Sequence, residues 1–197
     1  TFDGFEFKCA RNSGVVLSGN GNTVKNCLVR NVAINGIVVD GYENTVDNCE
    51  VTRTGCGGIY VRGGDRQTLN HSNNKVTNNL IHDFSEVFQT GQPGIRLDGV
   101  GNICAHNEIY NTPHQAIAYE GNSHLIEYNY LHEVVLYSAD AGAIYTGRDF
   151  AGYGTVTRYN ILKNVGGKDL HPEGIYWDDA QGGQTAYGNI LVNIGHW

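Results

Sequence analysis

The chain has 197 residues, with 13 Lys and Arg against 20 Asp and Glu and a formal net charge of −7. The basic residues are scattered, which argues against nucleic acid or an anionic membrane as the main partner, since both demand clustered Lys and Arg. No apolar run approaches the length of a bilayer span and no charged-then-apolar leader opens the sequence, so the chain reads as soluble, with no membrane insertion.

From the N-terminus onward one short phrase keeps returning: a small residue, Ile or Val, a variable residue and a bulky one. It is written Gly14-Val15-Val16-Leu17, Gly36-Ile37-Val38-Val39, Gly58-Ile59-Tyr60-Val61, Gly94-Ile95-Arg96-Leu97, Ala116-Ile117-Ala118-Tyr119, Ala143-Ile144-Tyr145-Thr146 and Gly174-Ile175-Tyr176-Trp177. A second phrase runs in step behind it, from Asn26-Cys27-Leu28-Val29 and Asn48-Cys49-Glu50-Val51 to Gly188-Asn189-Ile190-Leu191. The interval keeps returning to 22 residues and lengthens to 36, 27 and 31 where segments are inserted. Two short strands per repeat, a third in the corner segment, and Gly- and Asn-rich corners predict an all-β parallel β-helix of about seven coils.

One domain over residues 1–197 is expected, and a monomer. The sequence lacks an initiator Met and has ends that fall mid-coil at Thr1 and Trp197. That predicts a piece of a longer helix, with uncapped ends and any targeting signal in the flanks. The five cysteines show no metal-type spacing. Cys27 and Cys49 stand where later coils have Asn79, Asn107, Asn129, Asn160 and Asn189, which predicts a buried ladder of amides in which Cys substitutes as a small residue.

Alternate side chains of a strand share a face, so the variable residue of the first phrase and the residue just past the phrase point outward. The outward columns are Val16, Val38, Tyr60, Arg96, Ala118, Tyr145, Tyr176 and Ser18, Asp40, Arg62, Asp98, Glu120, Gly147, Asp178. Aromatic, guanidinium and carboxylate groups side by side suit a carbohydrate surface, where rings stack on pyranose C–H groups and charged groups bond hydroxyls. The insertions, at 63–73, 85–92, 135–140, 147–153 and 166–172, all flank the first phrase and would wall a cleft around these columns.

The segment from Asp140 through Tyr145 to Arg148 and Asp149, followed one coil later by Glu173 through Tyr176 to Asp178 and Asp179, resembles the right-handed parallel β-helix proteins of glycoside hydrolase family 141, which includes α-L-fucosidases and xylanases. The resemblance implies a secreted, periplasmic or cell-surface enzyme with a pair of catalytic aspartates, here Asp140 with Asp178 or Asp179. Spacing gives a compatible answer. Glycoside cleavage needs two carboxyls, about 5 Å apart for retention or about 6.5–9.5 Å for inversion. Asp98 and Glu120 fall one rung apart, and Glu120 and Asp178 two rungs, roughly 9.6 Å.

The remaining candidates bind substrate: Arg96, Arg148, Tyr145, Tyr176, Asp149, Glu173 and His114, the last at the cleft edge and able to assist proton transfer. Arg96 and Arg148 either bind a uronate or neutralise the acidic surface, the second being favoured. His82, His106, His124 and His132 read as structural. No His, Cys or carboxylate spacing makes a zinc or iron site, and no cofactor is expected. Two other functions fit the same face. One is a polysaccharide lyase, with Ca²⁺ held by Asp98 and Glu120 and Arg96 or Arg148 as base; the other is a non-catalytic glycan-binding module.

Overall fold

The computed structural model describes residues 1–195; His196 and the C-terminal end at Trp197 lie outside the described residues. Among these residues the secondary structure is all β, in three parallel sheets of eight, eight and seven strands. Each coil gives one strand to each sheet. The second coil, for example, supplies Ile37–Asp40, Thr45–Asp47 and Glu50–Thr54, each paired in parallel with its equivalent one coil away. This is a right-handed parallel β-helix, with the third strand in the corner where the sequence predicts it.

The seven-stranded sheet runs through Val15–Ser18, Ile37–Asp40, Ile59–Gly63, Ile95–Val100, Ile117–Asn122, Gly142–Gly147 and Glu173–Asp178. Its register is the one set by the repeat, with Val15, Ile37, Ile59, Ile95, Ile117, Ile144 and Ile175 partners in consecutive strands. From Ile37 to Ile144 the column is buried, each side chain contributing about 1.5–3 kcal/mol of burial, whereas Ile175 is only half-buried. Insertions do not disturb the register because they leave from strand ends. The small residue opening each phrase is a packing requirement: a Cβ on Gly58 would lie 2.4 Å from the Gly94 carbonyl oxygen.

Inside the second phrase the amide ladder forms as predicted. The side-chain oxygen of Asn129 accepts from the backbone N–H and the amide of Asn107, both at 3.0 Å, while Asn129 Nδ2 donates to the Cys104 carbonyl at 3.1 Å. Asn79 to Asn107 and Asn129 to Asn160 repeat the pattern. Asn189, half-buried, accepts in the same way from Asn160. Cys27 and Cys49 are free and buried, and burial pushes the Cys49 thiol up to about 11, so it stays protonated and inert.

A second ladder, not anticipated, runs along the corner that leaves the seven-stranded sheet. Asn44 Oδ1 accepts from the Asn22 N–H, Asn74 Oδ1 from Asn44, and Asn102 Oδ1 from the Asn74 amide. His124 then takes the place of asparagine: its Nδ1 accepts the Asn102 N–H at 3.2 Å and its Nε2–H donates to the Glu120 carbonyl at 3.0 Å. Thr155 and Gln184 continue the series. His124 is therefore a structural member of this corner.

Burial pushes His124 down to about 4 from an unfolded value near 6.5. Below pH 6.5 the unfolded chain gains a proton that the native chain refuses, so stability falls between pH 6.5 and 4, by about 3 kcal/mol in full. His114, also lowered by burial, adds in the same direction. His124→Asn restores the amide of the flanking rungs, and urea midpoints measured at pH 7 and pH 5 should lie closer together in that variant than in the parent.

Candidate active site

Strand alternation places both outward columns on the free face of the seven-stranded sheet, and the register holds them in rows one rung, about 4.8 Å, apart. Ala118 is the exception to exposure. A methyl between the larger Arg96 and Tyr145, it is 4 % exposed. Two banks of loops rise beside the face: 85–92, 135–140 and 166–172 before the strands, 63–73 and 147–153 after them.

Over the middle coils one arginine organises the first cluster. Asp98 and Glu120 are register partners on adjacent rungs, and Arg96 spans them, with Nε 3.0 Å from Asp98 and a terminal nitrogen 2.6 Å from Glu120. Tyr60 donates to the other Asp98 oxygen at 2.6 Å. Burial works against the charge on Arg96, but the two carboxylates outweigh it and hold the guanidinium more firmly protonated than usual. Beside it, Tyr60 and Arg96 join Asn35, Gln92 and Pro93 around a pocket of 270 Å³.

The second cluster sits on the last two coils. Tyr145 and Tyr176 are register partners, packed edge to face at 5.6 Å, and the Tyr145 hydroxyl donates to Asp178 at 2.8 Å. That bond, the Asp179 N–H and the Tyr176 hydroxyl hold the Asp178 carboxyl below the usual carboxylate range, against burial. In return, burial and Asp178 push Tyr145 up to about 12, and the bond to Asp178 does the same to Tyr176. Asp140 lies ahead of the strand Gly142–Gly147, at the opposite end from Asp178, and its charge adds a smaller upward push on both phenols. Between Glu120 and Asp178 the outward position is Gly147, which leaves the face open; a Cβ there would come within 2.8 Å of the Tyr145 hydroxyl.

The other expected site residues have more local duties. Asp179 pairs with Arg148 at 3.1 Å, both well exposed. Glu173 opens its strand opposite Gly142, and its Oε2 is buried without a hydrogen-bond partner. His114 is buried, and its Nδ1 faces the Gly91 N–H at 3.4 Å, bracing the loop before the strands. Asp149 is a brace as well. It takes a two-pronged contact from Arg66 at 2.7 and 2.8 Å and the Gly121 N–H at 2.8 Å, tying together loops that lie three rungs apart. Arg66 and the bonding role of Tyr60 were not anticipated. Arg66 lies in an insertion whose path the repeat does not dictate.

All four arginines of this face are committed to carboxylates: Arg62 to Asp40, Arg66 to Asp149, Arg96 to Asp98 and Glu120, and Arg148 to Asp179. Asp140, Asp178 and Glu173 are left over, so the surface is acidic on balance. Each of these arginines offsets part of that charge.

A family model described as "Right handed beta helix region" matches residues 13–150. No curated protein sequence matches the chain. A solved structure titled "Glycoside hydrolase" superposes with a TM-score of 0.72 at 15 % identity, covering 92 % of this chain and 38 % of that one. The chain thus spans well under half the length of that protein, and at this identity the likeness is one of fold.

Arg66→Ala leaves the nearly buried Asp149 carboxylate with one backbone donor in place of three contacts. It should cost about 1–2 kcal/mol in urea unfolding, and Asp149→Asn in the same background should add little, since the pair acts as one unit.

Proposed function

Because the chain belongs to the right-handed beta helix family, a scaffold of stacked coils with one loop-walled face, we propose that it is the catalytic part of a glycoside hydrolase acting on neutral plant-type or complex glycans, of the kind grouped in family 141. The observation that supports this best is the Tyr145–Asp178–Tyr176 cluster with Asp140 on its far side. In this reading Asp178, kept ionised by its three donors, is the general base that takes a proton from the attacking water. Asp140, which makes no ion pair among the described residues and whose charge is felt at His114, gives its proton to the departing glycosidic oxygen. With the tyrosine pair between the two carboxyls, inversion is the stereochemistry we propose, a route that needs them about 6.5–9.5 Å apart. Glu120, Asp98 and Arg96 bond sugar hydroxyls on the neighbouring rungs, and the exposed Asp179 and Arg148 border the cleft. A secreted or cell-surface location follows from such a substrate.

The lyase reading has less support, at Arg96 above all. Arg96 already occupies the space between Asp98 and Glu120 where Ca²⁺ was considered, and those same carboxylates hold it too firmly protonated to act as a base.

The test is release of reducing ends from a panel of neutral plant glycans. Asp178→Asn and Asp140→Asn should each lower turnover by about 10²–10⁴-fold with little change in glycan binding; near-normal rates in both would move the chemistry to Glu120 and its neighbours. The pH profile gives an independent check. Asp178 must be ionised and its pKa is depressed, so activity should persist as pH falls until that lowered value is reached. Tyr145→Phe removes the largest stabilising bond, and the acid limb should shift to higher pH.

A further inference from the structure

A second hollow, of 270 Å³, lies around the coil corner from the cleft, between the loop 85–92 and the loop 135–140. Phe84 and Pro113 are buried beneath it, Asp83, Gln89 and Asn111 offer polar groups at its border, and Tyr137 stands on the open side. Tyr137 is 68 % exposed, and among the described residues its ring has no stacking partner and its hydroxyl no bond. The backbone that carries the ring is held in place, because the Tyr137 N–H donates to the Pro113 carbonyl at 3.0 Å and the Leu136 N–H to the Thr112 carbonyl at 3.2 Å.

Neither loop is needed to close a coil, since 22-residue coils close without them. An uncovered ring on a pinned backbone, beside amide and carboxylate groups, matches a pyranose: apolar C–H groups on its faces, hydroxyls at its edge. The volume falls just below the about 300 Å³ at which drug-sized pockets begin, which suits one ring and not several. The charges that line it favour a neutral unit over an anionic one. Asp83 and Glu86 are acidic, and the cation at this border, Arg53, is paired with Glu86 at 3.3 Å. Two residues separate Tyr137 from Asp140, at most about 11 Å of extended chain between their Cα atoms, so one short oligosaccharide reaches from the cleft to this corner.

We propose that this corner hollow is a secondary subsite that takes a neutral pyranose unit of the same glycan bound in the cleft, with Tyr137 as its stacking platform, so that the protein prefers longer chains. The inference rests on the hydrolase reading.

The experiment compares hydrolysis by the whole chain of neutral xylo-, gluco- and manno-oligosaccharides of two and six units and of fucosylated xyloglucan oligosaccharides. Tyr137→Ala should raise KM for the longest cleaved substrate about three- to tenfold, as loss of one aromatic contact implies, with kcat unchanged and the shortest cleaved substrate unaffected. Tyr137→Phe should behave as the parent, and Gln89→Ala should weaken the long substrate alone. Equal effects on short and long substrates, or none, would overturn the subsite and leave the hydrolase reading standing. Absence of both cleavage and binding of every glycan by the parent would overturn the reading itself, and the subsite with it.

Discussion

Each strand of this protein makes its hydrogen bonds with its own equivalent one coil away, and that single constraint governs everything else. Whatever side chain points inward must be satisfied by a neighbour of the same kind, about 4.8 Å along the axis. Apolar positions therefore become columns of isoleucine and valine. Buried polar positions become ladders, in which each asparagine accepts from the rung before and donates to a corner carbonyl. A buried amide outside such a ladder would leave donors unmet at a cost of about 1–3 kcal/mol each, so the ladders define the register as firmly as the apolar columns do. His124 shows how narrow the requirement is. An imidazole replaces an asparagine only because Nδ1 can accept where Oδ1 did, and its burial then ties stability to pH.

The same stacking gives the outer face its chemistry. Groups that would be scattered on an irregular surface are brought into rows, so carboxylates, phenols and guanidinium groups meet at fixed intervals. Crowding of acids is relieved where arginine is available, as between Asp98 and Glu120, and by phenol hydroxyls where it is not, as at Asp178. Asp178 thus keeps its charge mainly through the Tyr145 hydroxyl and the Asp179 N–H, with Arg148 adding a smaller pull. Loops braced across several rungs by Arg66 and Asp149, and by His114 against Gly91, hold the walls of the cleft in place.

The coil count, the strand register, the inner isoleucine column and the Asn and Cys ladder were legible in the sequence because all of them repeat. A residue that recurs at the same phase in every coil reports its own environment. The second ladder escaped notice because its members, Asn22, Asn44, Asn74, Asn102, His124, Thr155 and Gln184, change identity and lie next to insertions that break the count. The site was legible in part. The outward columns named Asp98, Glu120, Tyr145, Tyr176 and Asp178, and the register confirms that they share a face. Pairings that pass through insertions, such as Arg66 with Asp149, and the turn of His114 and Asp149 from substrate contacts into braces depend on loop paths that no periodicity encodes.

The central claim is that sugar is held and cleaved on the outer face of the seven-stranded sheet, over Tyr145 and Tyr176. A crystal structure of the Asp178→Asn chain with a neutral oligosaccharide bound tests it most directly. The account predicts a sugar ring against the tyrosine pair, with its glycosidic oxygen toward Asp140 and a water or the anomeric carbon facing residue 178. An oligosaccharide seated on either eight-stranded sheet, with this face empty, would contradict it.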